Sequence, residues 1–142
     1  MTPIVLIHLG ATWFMTGLIW LVQVVQYPLF ARVGAEAFPA YHAGHASLIT
    51  LVVGPAMLVE AATAGWLLLT LGAGPRGWVW WVGAGLVGVI WLSTALLQVP
   101  AHGALAAGFD PEVHTRLVQT NWIRTLGWSA RAALLTWWVL RA

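Results

Sequence analysis

The chain's 142 residues fit a single domain, and 61% of them are hydrophobic while only 7% are charged, where a soluble domain carries about 25% charged residues. Ten charges cannot dress a soluble surface, so the solvent for most of this chain must be lipid. The formal charge of +2 reflects six Arg, scattered singly, and no Lys, which leaves no basic stripe for nucleic acid to bind.

The first apolar segment runs from Pro3 to Tyr27 and is expected to stop at Pro28. It lacks a basic leader and a small-residue cleavage site, so it is read as a retained helix and not a signal peptide. A short loop holding Arg32, Gly34 and Glu36 follows. The second span, residues 40–71, contains Gly54-Pro55, and the proline is expected to kink it near Leu51. Gly72–Gly77 is a tight turn. The third span, residues 78–99, should end at Pro100, with a loop from Ala101 to Glu112. The fourth, residues 111–141, starts at Pro111 with Asp110 as its N-cap. Each span clears the roughly 20 residues that a hydrocarbon core demands. Short connections make neighbours antiparallel, so the expected fold is all-α: an integral membrane up-down-up-down four-helix bundle. No repeat is apparent.

Cysteine is absent, which excludes disulfides, thiol catalysis, thiolate metal sites and iron–sulfur clusters. The face with both termini and the Gly72–Gly77 turn carries Arg76 and Arg141 and no acid. The opposite face mixes Arg32 and Arg116 with Glu36, Asp110 and Glu112. The positive-inside rule then places the termini in the cytoplasm, in a bacterial inner membrane. Trp80/Trp81 and Trp137/Trp138 are assigned to the cytoplasmic interface, and Gly83, Gly85 and Gly88 to close helix packing.

Polar groups inside a span are costly and face the bundle interior. Aligning the second and fourth spans by their starts puts Glu60 level with Arg131, with His8 near the same depth, and a structural ion pair is expected there. A larger polar layer lies at the other end: Gln23, Gln26 and Tyr27 close the first span, His42 and His45 open the second, Gln98 and His102 close the third, and His114, Gln119, Asn121 and Arg124 open the fourth. His45 and Glu60 are separated by about 22 Å of helix, so the two layers are separate sites.

His42-x-x-His45 sets two imidazoles one turn apart, the spacing of a helical chelate. With His102 and His114 it could ligate iron, copper or zinc. A haem would need only one or two of them, and a site with no cofactor stays open. Alternatively these side chains hydrogen-bond neighbours and lipid headgroups. Gln23 and Gln98 are candidates for holding a ligand or cofactor, and Arg124 and Asn121 for orienting or activating an oxygen-bearing substrate; the same amides also serve as interhelical glue.

The stretch from Gln98 to Leu134, QVPAHGALAAGFDPEVHTRLVQTNWIRTLGWSARAAL, resembles the last third of the anthrone oxygenase-like family of small four-helix membrane proteins. Pro100, His102, Leu105, Asn121, Arg124 and Thr125 occupy the motif positions. That family commonly has Asn where this chain has His102 and His where it has Asn121, so the polar types are exchanged. The resemblance covers about a quarter of the chain and implies oxidation of a lipophilic aromatic or polyketide-like molecule.

The reading that results is a membrane-embedded, oxygen-using oxidoreductase, with His45, His102, Asn121 and Arg124 as catalytic candidates and His42, His45, His102 and His114 as metal candidates. Its partners would be membrane lipids and a small lipophilic molecule, with a homo-oligomer left open. The alternatives are a binding or transport module for haem, metal or lipid, and a small accessory membrane subunit.

Overall fold

The computed structural model describes residues 2–141. These form four long helical rods and no strand: α1 (Pro3–Phe30), α2 (Phe38–Leu71), α3 (Trp78–Leu105) and α4 (Pro111–Leu140). Proline sits in the first turn of α1, α2 and α4, where its missing N–H costs nothing. Asp110 caps α4 as expected, its Oδ1 accepting from the Glu112 and Val113 amides at 2.8 and 3.0 Å. By length and composition α1, α2 and α3 are each able to cross a membrane.

The rods pack in a ring, α1 and α3 each lying against both α2 and α4. His8 meets Thr63 while Gln26 meets Tyr41, so α1 and α2 are antiparallel. Arg131 meets Gly83 while Thr120 meets Gln98, so α3 and α4 are antiparallel as well.

Two expected helix ends are corrected. α1 runs through Pro28 to Phe30, and α3 through Pro100 to Leu105, so His102 is helical and not a loop residue. A π-turn precedes each proline, Val22–Gln26 in α1 and Thr94–Gln98 in α3. The Tyr27 amide reaches back to the Val22 carbonyl and the Val99 amide to that of Thr94. The wider turn re-registers the hydrogen bonds just before a residue that has no amide to give. It also carries an inward glutamine in each rod, Gln23 and Gln98, both buried.

These matching turns expose a repeat that the sequence reading missed. Ile19-Trp20-Leu21 precedes the π-turn and proline of α1, and Ile90-Trp91-Leu92 precedes those of α3; Glu60-Ala61-Ala62 in α2 faces Arg131-Ala132-Ala133 in α4. The two helical hairpins are built alike. α2 itself is unbroken through Pro55.

Polar layers are buried inside an apolar exterior. His8, Gln23, His42, Glu60, Gln98, Asn121, Arg124 and Arg131 are buried, while Leu51, Leu69, Leu96 and Trp81 are among many large apolar side chains left exposed. Two apolar clusters flank the buried polar layers, one around Met15, Ile19, Phe30, Met57 and Trp128, the other around Val5, Leu67, Trp80 and Leu135. Trp80 is therefore a core residue packed edge-on against Trp138, and only Trp81 of that pair faces outward. Gly85 and Gly88 have open space where a Cβ would stand, so close packing is not their role. Between helices the tight contact is at Gly127, where a Cβ would lie 2.9 Å from Ile90 Cγ1 of α3.

Candidate functional site

The deep layer forms as expected and is saturated. Glu60 Oε1 lies 3.1 Å from Arg131 Nη2 and accepts from Thr12 Oγ1 at 2.8 Å, while Oε2 accepts from Trp128 Nε1 at 2.7 Å. Arg131 also donates to the Gly83 carbonyl and to His8 Nε2. That leaves His8 Nδ1 to carry the ring proton and donate to Thr63 Oγ1. Every strong acceptor here is filled from within, which is the behaviour of a structural core.

The other layer is different. His42 Nε2 lies 3.0 Å from His102 Nδ1, and His102 Nε2 lies 3.0 Å from the Tyr27 hydroxyl, so three side chains from three rods form a hydrogen-bonded chain. His45 stacks on His102 at 5.8 Å and 27°, and Gln26 Nε2 donates to its Nδ1 at 3.3 Å. Phe30 is the hub, its ring 4.9 Å from that of His45, 5.8 Å from His42 and 6.4 Å from His114. His114 stands apart from the triad and donates from Nε2 to the Tyr27 carbonyl at 2.8 Å.

The amides brace the fourth rod. Gln23 donates to the Val118 carbonyl at 3.1 Å and its Oε1 accepts from Asn121 Nδ2 at 2.9 Å and Thr125 Oγ1 at 3.2 Å. Asn121 Oδ1 in turn accepts from Arg124 Nη1 at 3.3 Å. Gln98 accepts from Ser93 and donates to Thr120. Arg124 is 6% exposed, lies over the Trp128 indole at 5.4 Å, and has an Nε that is buried without a partner.

A cavity of about 360 Å³ opens among α1, α2 and α3, with Arg124 of α4 reaching into it. Tyr27, Gln98, His102 and Arg124 form its polar head; Met15, Ile49, Val53, Met57 and Trp91 supply much of its apolar body. A more open groove of about 540 Å³ runs along α1 and α2 past Gln26, Tyr41 and His45, and shares the Leu18, Val22 and Ile49 wall with the cavity. The volume lies within the roughly 300–1,000 Å³ of small-molecule sites. Of the sequence candidates, Gln98, His102 and Arg124 border the cavity, His42 reaches it through His102, and His45 lies on the groove side. Gln23 and Asn121 act one step behind, holding Arg124.

The histidines do not fit the expected ligand set. Among the described residues no group of three or more His, Asp or Glu side chains is arranged to hold a metal. The His45 and His102 rings present faces to each other, whereas a metal about 2.0–2.1 Å from each nitrogen needs converging ring edges. A haem in the cavity fits no better, because both nitrogens of its only imidazole, His102, are engaged.

Sequence reasoning passed over Tyr27 and Phe30 as site residues. Tyr27 had a usable signal, a buried phenol before the proline of a polar helix end. Phe30 had none, since the expected end of α1 placed it outside the helix.

Fold and site together define a class: an all-helical protein with membrane-length apolar helices, polar inside, enclosing a hollow with a cationic head. No protein-family model, curated protein or solved structure matches the chain.

Proposed function

We propose that this chain spans a membrane as a four-helix bundle and is an oxygen-using oxidoreductase for a small lipophilic, aromatic or polyketide-like molecule. The observation that carries the reading is the cavity: apolar along its body, headed by Tyr27, His102, Gln98 and Arg124, and set between helices whose outer faces are apolar. Such a shape suits a molecule that dissolves in the bilayer and enters sideways, its polar end toward the headgroups. α4 is less apolar than the other rods because it carries Asn121, Arg124, Thr125 and Arg131; their burial inside the ring supports reading it as a fourth span. The Arg distribution supports cytoplasmic termini, with a bacterial inner membrane as the proposed setting.

The chemistry follows from the head groups. A substrate whose acidic CH₂ is conjugated through aryl rings to a carbonyl, as in anthrone, gives up a proton to the Tyr27–His102–His42 chain. Tyr27 passes its own proton to His102 Nε2, and the His102 Nδ1 proton moves to His42 Nε2. Arg124, held by Asn121 and Gln23, steadies the resulting enolate oxygen in a site of low dielectric. Dioxygen is the oxidant, and the balance is R₂CH₂ + O₂ → R₂C=O + H₂O.

The test is oxygen uptake by the protein in lipid nanodiscs supplied with anthrone. The expected result is one O₂ consumed per CH₂ converted to C=O, lost in Arg124→Lys and Tyr27→Phe. Uptake equal to that of empty discs contradicts the oxidoreductase; bound anthrone without uptake leaves a binding or transport module.

A further inference from the structure

The two buried arginines of α4 are treated oppositely. Arg131 is matched by the Glu60 carboxylate, the Gly83 carbonyl, His8 and Thr12. Arg124 is equally buried, but among the described residues the only carboxylate ion pair is Glu60–Arg131. Among the described residues its one close hydrogen bond is the 3.3 Å contact to Asn121; the Tyr27 phenol beside it is neutral, and the arginine Nε is buried without a partner. The guanidinium lies over the Trp128 indole at 5.4 Å, a cation–π contact that occupies none of its N–H donors. An uncompensated charge in such surroundings is costly, and this one borders the cavity while Arg131 does not.

We infer that the missing counter-charge arrives with the ligand: the cavity takes a lipophilic anion, an oxygen acid held as its conjugate base, with the negative oxygen on Arg124 and the apolar body against Met15, Val53, Met57 and Trp91. This rests on the reading of the cavity as a lipophile site, and it adds the charge. A neutral C–H acid such as anthrone leaves Arg124 unpaired until its enolate forms, so a ligand that arrives already charged should be preferred; a dianion would exceed the one cation the head provides. A planar oxyanion can take two parallel N–H bonds from a guanidinium edge, the strongest hydrogen-bonding arrangement open to it.

The probes are naphthalene-2-carboxylate and naphthalene-2-carboxamide, alike in shape and differing in charge. Binding is measured by equilibrium dialysis against the full chain in zwitterionic nanodiscs, with empty discs correcting for partition into lipid. The carboxylate should bind at least about tenfold more tightly, and Arg124→Gln should remove that preference. Equal affinities overturn the anion assignment and leave the lipophile site standing. Binding of neither probe above empty discs overturns both. A carboxylate preference that survives Arg124→Gln means that the charge is read elsewhere, which also overturns the assignment. Met57→Trp, which fills the apolar body without touching the head, supplies a check should Arg124→Gln fail to fold. It should weaken both probes, and unchanged carboxylate binding there would put the anion outside the cavity.

Discussion

Glu60 Oε1 and Arg131 Nη2 meet at 3.1 Å with both side chains almost wholly shut off from solvent, and this pair ties α2 to α4 across the bundle. Removing one partner strands the other charge. Glu60→Gln is therefore expected to cost about 3–5 kcal/mol, because a buried pair broken on one side leaves an uncompensated ion. The double variant Glu60→Gln/Arg131→Met should recover part of the loss. Thermal unfolding in detergent measures all three, and unchanged stability in every one would mean that the pair contributes nothing.

The absence of cysteine makes topology directly measurable. Single cysteines at Thr2 and Gly34 should label from opposite sides of the membrane in intact cells, Gly34 from the periplasm and Thr2 only after permeabilisation. Periplasmic labelling of Thr2 would reverse the proposed orientation.

Asn121 is fully buried between Gln23 and Arg124 and does not border the cavity. Asn121→Ala should thus act through Arg124, raising KM for the oxidised substrate while the helices stay folded, at a stability cost of about 1–3 kcal/mol for the buried partners it leaves unmet. Arg124→Lys should shift the same parameter further, since an ammonium cannot reproduce the planar fork. Different kinetic signatures for the two variants would argue against Asn121 acting through Arg124.

The histidine geometry has a spectroscopic consequence. With both nitrogens of His102 engaged and His45 stacked on it, the detergent-purified protein is expected to be colourless and free of stoichiometric iron, copper or zinc. A Soret band, or one transition-metal ion per chain by elemental analysis, would show that the triad rearranges to ligate.

The four rods were legible because their apolar runs are long and their connections short, and the Glu60–Arg131 pairing because α2 and α4 run the same way from comparable starts. What escaped was register. Pro28 and Pro100 read as helix stops, since a proline has no amide for the next helical bond. The π-turns that absorb them depend on contacts outside the local sequence, and without them His102 seemed a loop residue and Phe30 lay beyond the first helix. The crowd of polar residues at one end was likewise visible, but its division was not. Composition cannot tell the histidines that form a chain with Tyr27 from His114, which turns to a backbone carbonyl, nor the arginine that meets a carboxylate from the one left facing a cavity.

A lipophile in the cavity, with its polar end at Arg124, can be trapped where it binds. A photoactivatable aromatic diazirine carrying a carboxylate, irradiated with the protein in membranes and mapped by mass spectrometry, tests this occupancy most directly. Adducts should fall on Met15 and Met57, the buried wall of the cavity, and should be competed by naphthalene-2-carboxylate. Adducts confined to the outer face, at Leu69, Trp81 or Leu96, and indifferent to the competitor, would contradict it.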